Sequence, residues 1–176
     1  MRPPGQSALD VVDEGELVRI SFDELVKYHG RGSIGGLAHG FKVMERGFSF
    51  LDGGNALERR EVHVETAFDG PGSRDAFEMV TRAVTGGRYL ADVNLAGAGR
   101  PAPEAPQGRF FFRLRYRGKA VDLTLREGHV SEEFIELVRR GPQSPEEHAY
   151  LARLKQDMAD RLMPLAADEV YDARPS

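Results

Sequence analysis

Apolar residues recur along this chain at two spacings, one helical and one alternating, and the switches between them divide it into elements. Ser21-Phe22-Asp23-Glu24 has the form of a capping box, with Ile20 and Leu25 placed as a hydrophobic staple, and predicts a short helix that stops near Gly30. From Ser33 onward Ile34, Leu37, Ala38, Phe41, Met44 and Phe48 fall at helical spacing, which predicts a long amphipathic helix to about Phe50. Ser33, Gly36, Gly40 and Gly47 lie roughly along one side of it. Each glycine weakens a helix by about 1 kcal/mol, and close approach of another backbone or a ligand would offset that.

Residues 59–67 alternate, with Val62 and Val64 on one face and Glu61, His63 and Glu65 on the other, as in a strand with a polar side. Gly70-Pro71-Gly72-Ser73 leads into a second helical stripe, Ala76, Phe77, Val80 and Val84, with Ser73 as the expected N-cap and Gly86-Gly87 as the stop. A strand follows over 89–95. The proline- and glycine-rich stretch 97–108 predicts an irregular, mobile loop. Phe110, Phe112, Leu114 and Tyr116 alternate with Phe111, Arg113, Arg115 and Arg117, and Gly118 turns this strand into Val121, Leu123 and Leu125. Ser131 and Ser144 each cap a further helix, the second long and bearing Leu151, Leu154, Met158 and Leu162. The tail from Pro164 predicts at most a short helical turn. The pattern as a whole predicts an α+β fold, an antiparallel or mixed sheet packed with helices. Residues 1–20 read as a flexible leader, 21–172 as a single domain and 173–176 as a tail.

Composition narrows the chemistry. The 176 residues are 40% hydrophobic and 30% charged, and no apolar run approaches the roughly 18 residues that span a bilayer. With no signal-like N-terminal stretch, the expected location is the cytoplasm. A formal charge of −4 argues against a nucleic-acid partner. Zero cysteines exclude thiolate nucleophiles and sulfur-ligated metals, so any metal would rest on His, Asp or Glu.

Gly32-Ser33 and Gly72-Ser73 each precede a helix, where free N–H groups and the helix dipole favour an anion, and Arg31 and Arg74 stand beside them as clamps. His29, His63, Glu65, Asp69 and Asp75 could act as general acids and bases or as hard metal ligands. Against this, a solvated strand face for His63 and Glu65 and a helix-end role for His29 describe the same residues. His39 shares a helix side with Lys42 and Arg46 and predicts a surface position; His129 and His148 read as solvated, and Arg113, Arg115 and Arg117 as an exposed strand face.

Tyr28-His29-Gly30-Arg31-Gly32-Ser33-Ile34-Gly35 resembles the opening motif of the FmdE family of formylmethanofuran dehydrogenase components: an aromatic residue, His-Gly-His, any residue, Cys-Pro-Gly, then a glycine-tolerant helix. Val64-Glu65-Thr66 followed by Asp75-Ala76, Val80-Thr81 and Gly86-Gly87 is similar to that family's second block. The resemblance implies an FmdE-like α+β core, a homodimer and a metal-associated site at the two blocks. His29, Gly30, Glu65, Asp75 and Ala76 match, whereas Arg31, Ser33, Ile34 and Gly72 stand where the family has His, Cys, Pro and Cys. Exchanging a His and a Cys for Arg and Ser turns a cation-holding pocket toward one for an anion. Three readings follow. The first is an anionic small organic ligand held by Arg31, Gly32, Ser33, Gly72, Ser73, Arg74 and Asp75, with His29, His63, Glu65 and Asp69 as acid–base groups. The second is a zinc, iron or nickel ion, or a haem, on His29, His63 and Glu65. The third is a non-catalytic accessory dimer.

Overall fold

The computed structural model describes residues 7–95, 97 and 101–176, and these form an α+β fold. Ala8–Asp13 (β1) and Glu16–Ser21 (β2) make an antiparallel hairpin, and Leu57–Glu58 (β3) adds to β1 in parallel. Residues 8–20 therefore belong to a strand hairpin where a flexible leader is expected from the sequence. Leu9, Val11 and Ile20 bury one face of the hairpin, and Gly15, with φ 89°, serves its turn. Residues 1–6 of the expected leader lie outside the described residues.

Phe22–His29 (α1) starts at the expected capping box: Ser21 Oγ accepts from Glu24 N–H, and the Glu24 carboxylate accepts from Ser21 N–H. Ile34–Gly47 (α2) is the central helix. It is buried on nearly every side, including Lys42 and His39, so it is a core element, and His39 does not take the surface position expected for it. The Lys42 ammonium meets the Leu165 carbonyl and Glu45, which lets a cation sit inside.

The second sheet has the order β5-β4-β7-β8-β9, from Tyr89–Ala91 (β5), His63–Phe68 (β4), Gly108–Tyr116 (β7), Lys119–Leu125 (β8) and Tyr171–Pro175 (β9), with Glu104–Ala105 (β6) paired to β7. All its pairs are antiparallel except β4 with β5, which are joined through Pro71–Thr81 (α3) as a crossover. The strand expected from Arg59 begins instead at His63, after a helical turn over Arg59–Glu61. The hairpin of β7 and β8 is as expected, and Arg113, Arg115 and Arg117 are held by Asp122, Glu65 and Glu61 on the sheet's outer face. Part of the loop expected over 97–108 lies outside the described residues (98–100), and Glu104–Ala105 within it is strand. Glu132–Arg140 (α4) and Pro145–Leu162 (α5) begin at Ser131 and Ser144, as their caps predict. The tail does more than expected: after Ala167–Val170 (α6) it becomes β9 at the sheet edge, and this strand takes in the residues read as a tail up to Pro175.

The glycine stripe is where α2 meets its neighbours. A Cβ on Gly36 would lie 3.1 Å from Gly72 Cα and 3.2 Å from Ser73 N, and one on Gly40 2.7 Å from Ala76 Cβ, so α3 crosses α2 backbone to backbone. Gly47 meets Leu114 and Leu123 of the sheet, and Gly35 meets Met158 of α5. From the other side of the crossing, a Cβ on Gly72 would collide with the Ser33 carbonyl oxygen and come within 2.9 Å of Leu37 N. Backbone atoms of a buried helix cannot yield locally, so overpacking here costs about 2–3 kcal/mol. Gly72→Ala is expected to lower the urea-unfolding free energy by that amount, whereas Gly32→Ala, whose Cβ would meet nothing within 4 Å, is expected to stay within about 0.5 kcal/mol of the parent. Equal effects of the two substitutions would contradict the close crossing.

Candidate functional site

Because α2 and α3 cross near their first turns, their N-termini open on a common cleft. Ser33, Gly35 and Gly36 line it from α2, and Gly70, Pro71 and Gly72 from α3. Neither helix start has a side-chain cap: Ser33 makes no capping bond at α2, and Gly70 with Pro71 at the first helical position begins α3. Ser73 is not the cap that the sequence suggests, since its buried hydroxyl donates back to the Gly70 carbonyl at 3.1 Å. The cleft thus receives the positive ends of two helix dipoles together with uncapped N–H groups.

At the opposite end of α3, two arginines occupy the carbonyls. Arg59 donates to Val80 O at 2.9 Å and to Met79 O, and Arg88 donates to Thr81 O and Arg82 O, each at 3.0 Å. Only the N-terminal end of this helix is left for a ligand.

The cleft has a volume of about 190 Å³. Its walls are mostly apolar: Phe68 from β4, Phe110 from β7, Phe134 from α4 and Met158 from α5. Phe68 and Phe110 stack at 4.3 Å between ring centroids, and the His39 ring lies on the other end of that stack, 4.7 Å from Phe110. Three polar side chains besides Ser33 reach the cleft: His39, Gln107 and Lys155. His39 is 1% exposed, its Nδ1 lies 2.7 Å from the Tyr171 hydroxyl, and its Nε2 has no hydrogen-bond partner among the described residues. Gln107 Oε1 is likewise buried and unpartnered, in a loop whose backbone is fixed by the bond from Asp69 N–H to the Gln107 carbonyl. Lys155 Nζ donates to the Gly32 carbonyl at 2.8 Å, and burial lowers its pKa.

Burial also pushes the His39 imidazole down to about 3, with His129 and Arg161 adding a smaller effect of the same sign, and it raises the Tyr171 phenol well above its usual value. Both members of the pair are neutral at physiological pH. An uncharged imidazole with one free nitrogen can donate to or accept from a ligand, but it brings no charge of its own.

The residues expected from sequence are divided by this geometry. Ser33 and Gly72 line the cleft, and Gly32 touches it through Lys155. Arg31 points outward to Gln156 at 3.1 Å, and exposed Arg74 lies 4.0 Å from Asp75, so neither clamps the cleft. His29 and Asp75 do meet, at 2.6 Å, where the end of α1 packs against α3, but outside the cleft lining. His63 is exposed at the start of β4, and Glu65 accepts from Arg115 at 2.8 Å on the sheet's outer face. Asp69 is exposed. His29, His63 and Glu65 are thus not gathered as a metal site, and among the described residues no group of three or more His, Asp or Glu is placed to hold a metal.

His39 is legible only in part. Its neighbours Lys42 and Arg46 suggest a surface, whereas its place three residues from Gly36 and four from Gly35, on the glycine side of an otherwise apolar helix, marks an inward one. No motif signals Gln107, Lys155 or Tyr171, which arrive from separate elements. No family model matches the chain, and no curated protein matches it in sequence. Among the described residues no helix is long and apolar enough to cross a membrane.

The His39 shift makes a stability prediction. An unfolded histidine protonates near pH 6.5, the buried one only near 3, so between these values the unfolded state binds more protons. Stability is full above about pH 6.5 and falls as pH is lowered toward 3. From pH 7 to pH 5 the loss through this residue is about 2 kcal/mol. His39→Phe is expected to be less stable at neutral pH but to lose about 2 kcal/mol less over that interval in urea titrations; parallel pH curves for parent and variant would contradict the assignment.

Proposed function

We propose that this chain binds a small organic acid in the cleft between the N-termini of α2 and α3. The observation that supports the reading most is the buried, unpartnered Nε2 of His39, a residue that lines a cleft which also receives two uncapped helix starts. A buried polar atom without a partner costs about 1–3 kcal/mol, and a ligand oxygen bound in the cleft would recover it. The helix dipoles and Lys155 favour negative charge, while Phe68, Phe110, Phe134 and Met158 suit an apolar body. Cavities of about 150 Å³ admit benzene, so this one has the size for a benzoate-like acid and is too small for a nucleotide or a haem.

The two stretches that resemble the FmdE family meet at this point. Ser33 and Gly72, at positions where that family has cysteines, are in contact across the helix crossing. Loss of both thiols and the cationic Lys155 at the rim suit an anion in place of a metal ion.

Isothermal titration with benzoate, against toluene and benzylamine as neutral and cationic controls of similar size, tests the reading. Benzoate is expected to bind with a Kd below about 1 mM and at least about tenfold more weakly to His39→Phe, in line with a hydrogen bond to a charged group. Benzoate that fails to bind the parent, or that binds the variant equally well, would remove the cleft as the site.

A further inference from the structure

Tyr171 belongs to the last strand of the sheet, far from the glycine loops, yet its hydroxyl meets His39 Nδ1 at 2.7 Å with both side chains fully enclosed. That contact can be made in two ways. If Nδ1–H donated to the phenol oxygen, the phenol O–H would itself need an acceptor, and Tyr171 Oη has no other hydrogen-bond partner among the described residues. A buried hydroxyl proton would be stranded in the core. If instead the phenol O–H donates to a bare Nδ1, the proton sits on Nε2, and the one donor left over belongs to a side chain that lines the cleft, where a ligand acceptor would satisfy it. Every polar hydrogen then has a partner or a route to one. Phe110, stacked on Phe68, packs 4.7 Å from the imidazole and restricts the ring.

We propose that Tyr171 is a positioning residue that fixes His39 as the Nε2–H tautomer, so that the inner end of the cleft is a neutral hydrogen-bond donor that selects ligands presenting an acceptor oxygen and rejects ammonium groups. This rests on the cleft being the ligand site and adds a polarity to it. A carboxylate or carbonyl oxygen faces inward toward His39, with uncapped N–H groups and the Lys155 ammonium on the same side of the charge balance. A donor-ended ligand, such as an amine, would set one N–H against another.

The tautomer is read without any ligand. In long-range proton–nitrogen NMR of the parent protein labelled at histidine, His39 is expected to show a protonated Nε2 and an unprotonated Nδ1. The reverse pattern overturns the proposal. Tyr171→Phe, confirmed as folded by circular dichroism, is expected to move His39 away from the single Nε2–H form; an unchanged His39 signature in that variant overturns the role of Tyr171. For selection, the parent is expected to prefer benzoate over benzylamine by about tenfold or more, and Tyr171→Phe to narrow that preference at least about threefold. Equal binding of the two probes by the parent overturns the selection. If neither probe binds while the tautomer is as stated, the ligand site and its selection fall, and only the tautomer assignment stands.

Discussion

The contact on which the rest of the structure depends is the backbone crossing of α2 and α3. Gly36 and Gly40 bring one helix against Gly72, Ser73 and Ala76 of the other at distances that leave no room for a side chain. Glycines at these positions lower helix propensity, and the loss is balanced by dispersion contacts between the two backbones. The crossing lies at the first turns of both helices, so it sets two N-terminal ends side by side. The cleft is the space left over where the pair of helices meets β4, β7, α4 and α5.

Charge distribution follows from the same arrangement. The C-terminal carbonyls of α3 are closed by Arg59 and Arg88, and the arginines of the outer sheet face are paired with Asp122, Glu65 and Glu61. The Arg31 guanidinium is held outside by Gln156. What remains directed into the cleft is weak and oriented: N–H groups, an imidazole kept neutral by burial, an amide and one half-buried lysine. Such a site can discriminate by hydrogen-bond polarity more than by net charge, because each buried group must be matched by a ligand atom of the opposite sense.

Local features are legible in the chain itself. The caps at Ser21, Ser131 and Ser144 and the hairpin turn at Gly118 rest on interactions between residues close in sequence, and each is found where expected. The glycine turns at Gly32 and Gly72 also point to two helix starts meeting. The departures have one common cause, contacts between distant segments. His39 and Tyr171 are 132 residues apart. Nothing near Tyr171 marks it as a strand that completes the sheet and ends in the core. Arg31, Arg74, His63 and Glu65 have the right chemistry for a site, but the direction in which each side chain points is set by packing of α5, α3 and the outer sheet face. The hairpin before Ser21 is hidden in the sequence because an acidic, exposed turn masks the alternation of Leu9, Val11 and Ile20.

The most direct test of the central claim is a crystal structure of the protein soaked with a halogenated benzoate, whose heavy atom locates the ligand without ambiguity. Anomalous density in the cleft, with a carboxylate oxygen within hydrogen-bond distance of His39 Nε2 and the Gly36 or Gly72 amides in contact, is the expected result. Density elsewhere on the surface, or a cleft that retains only ordered water on His39 at saturating ligand, would contradict it.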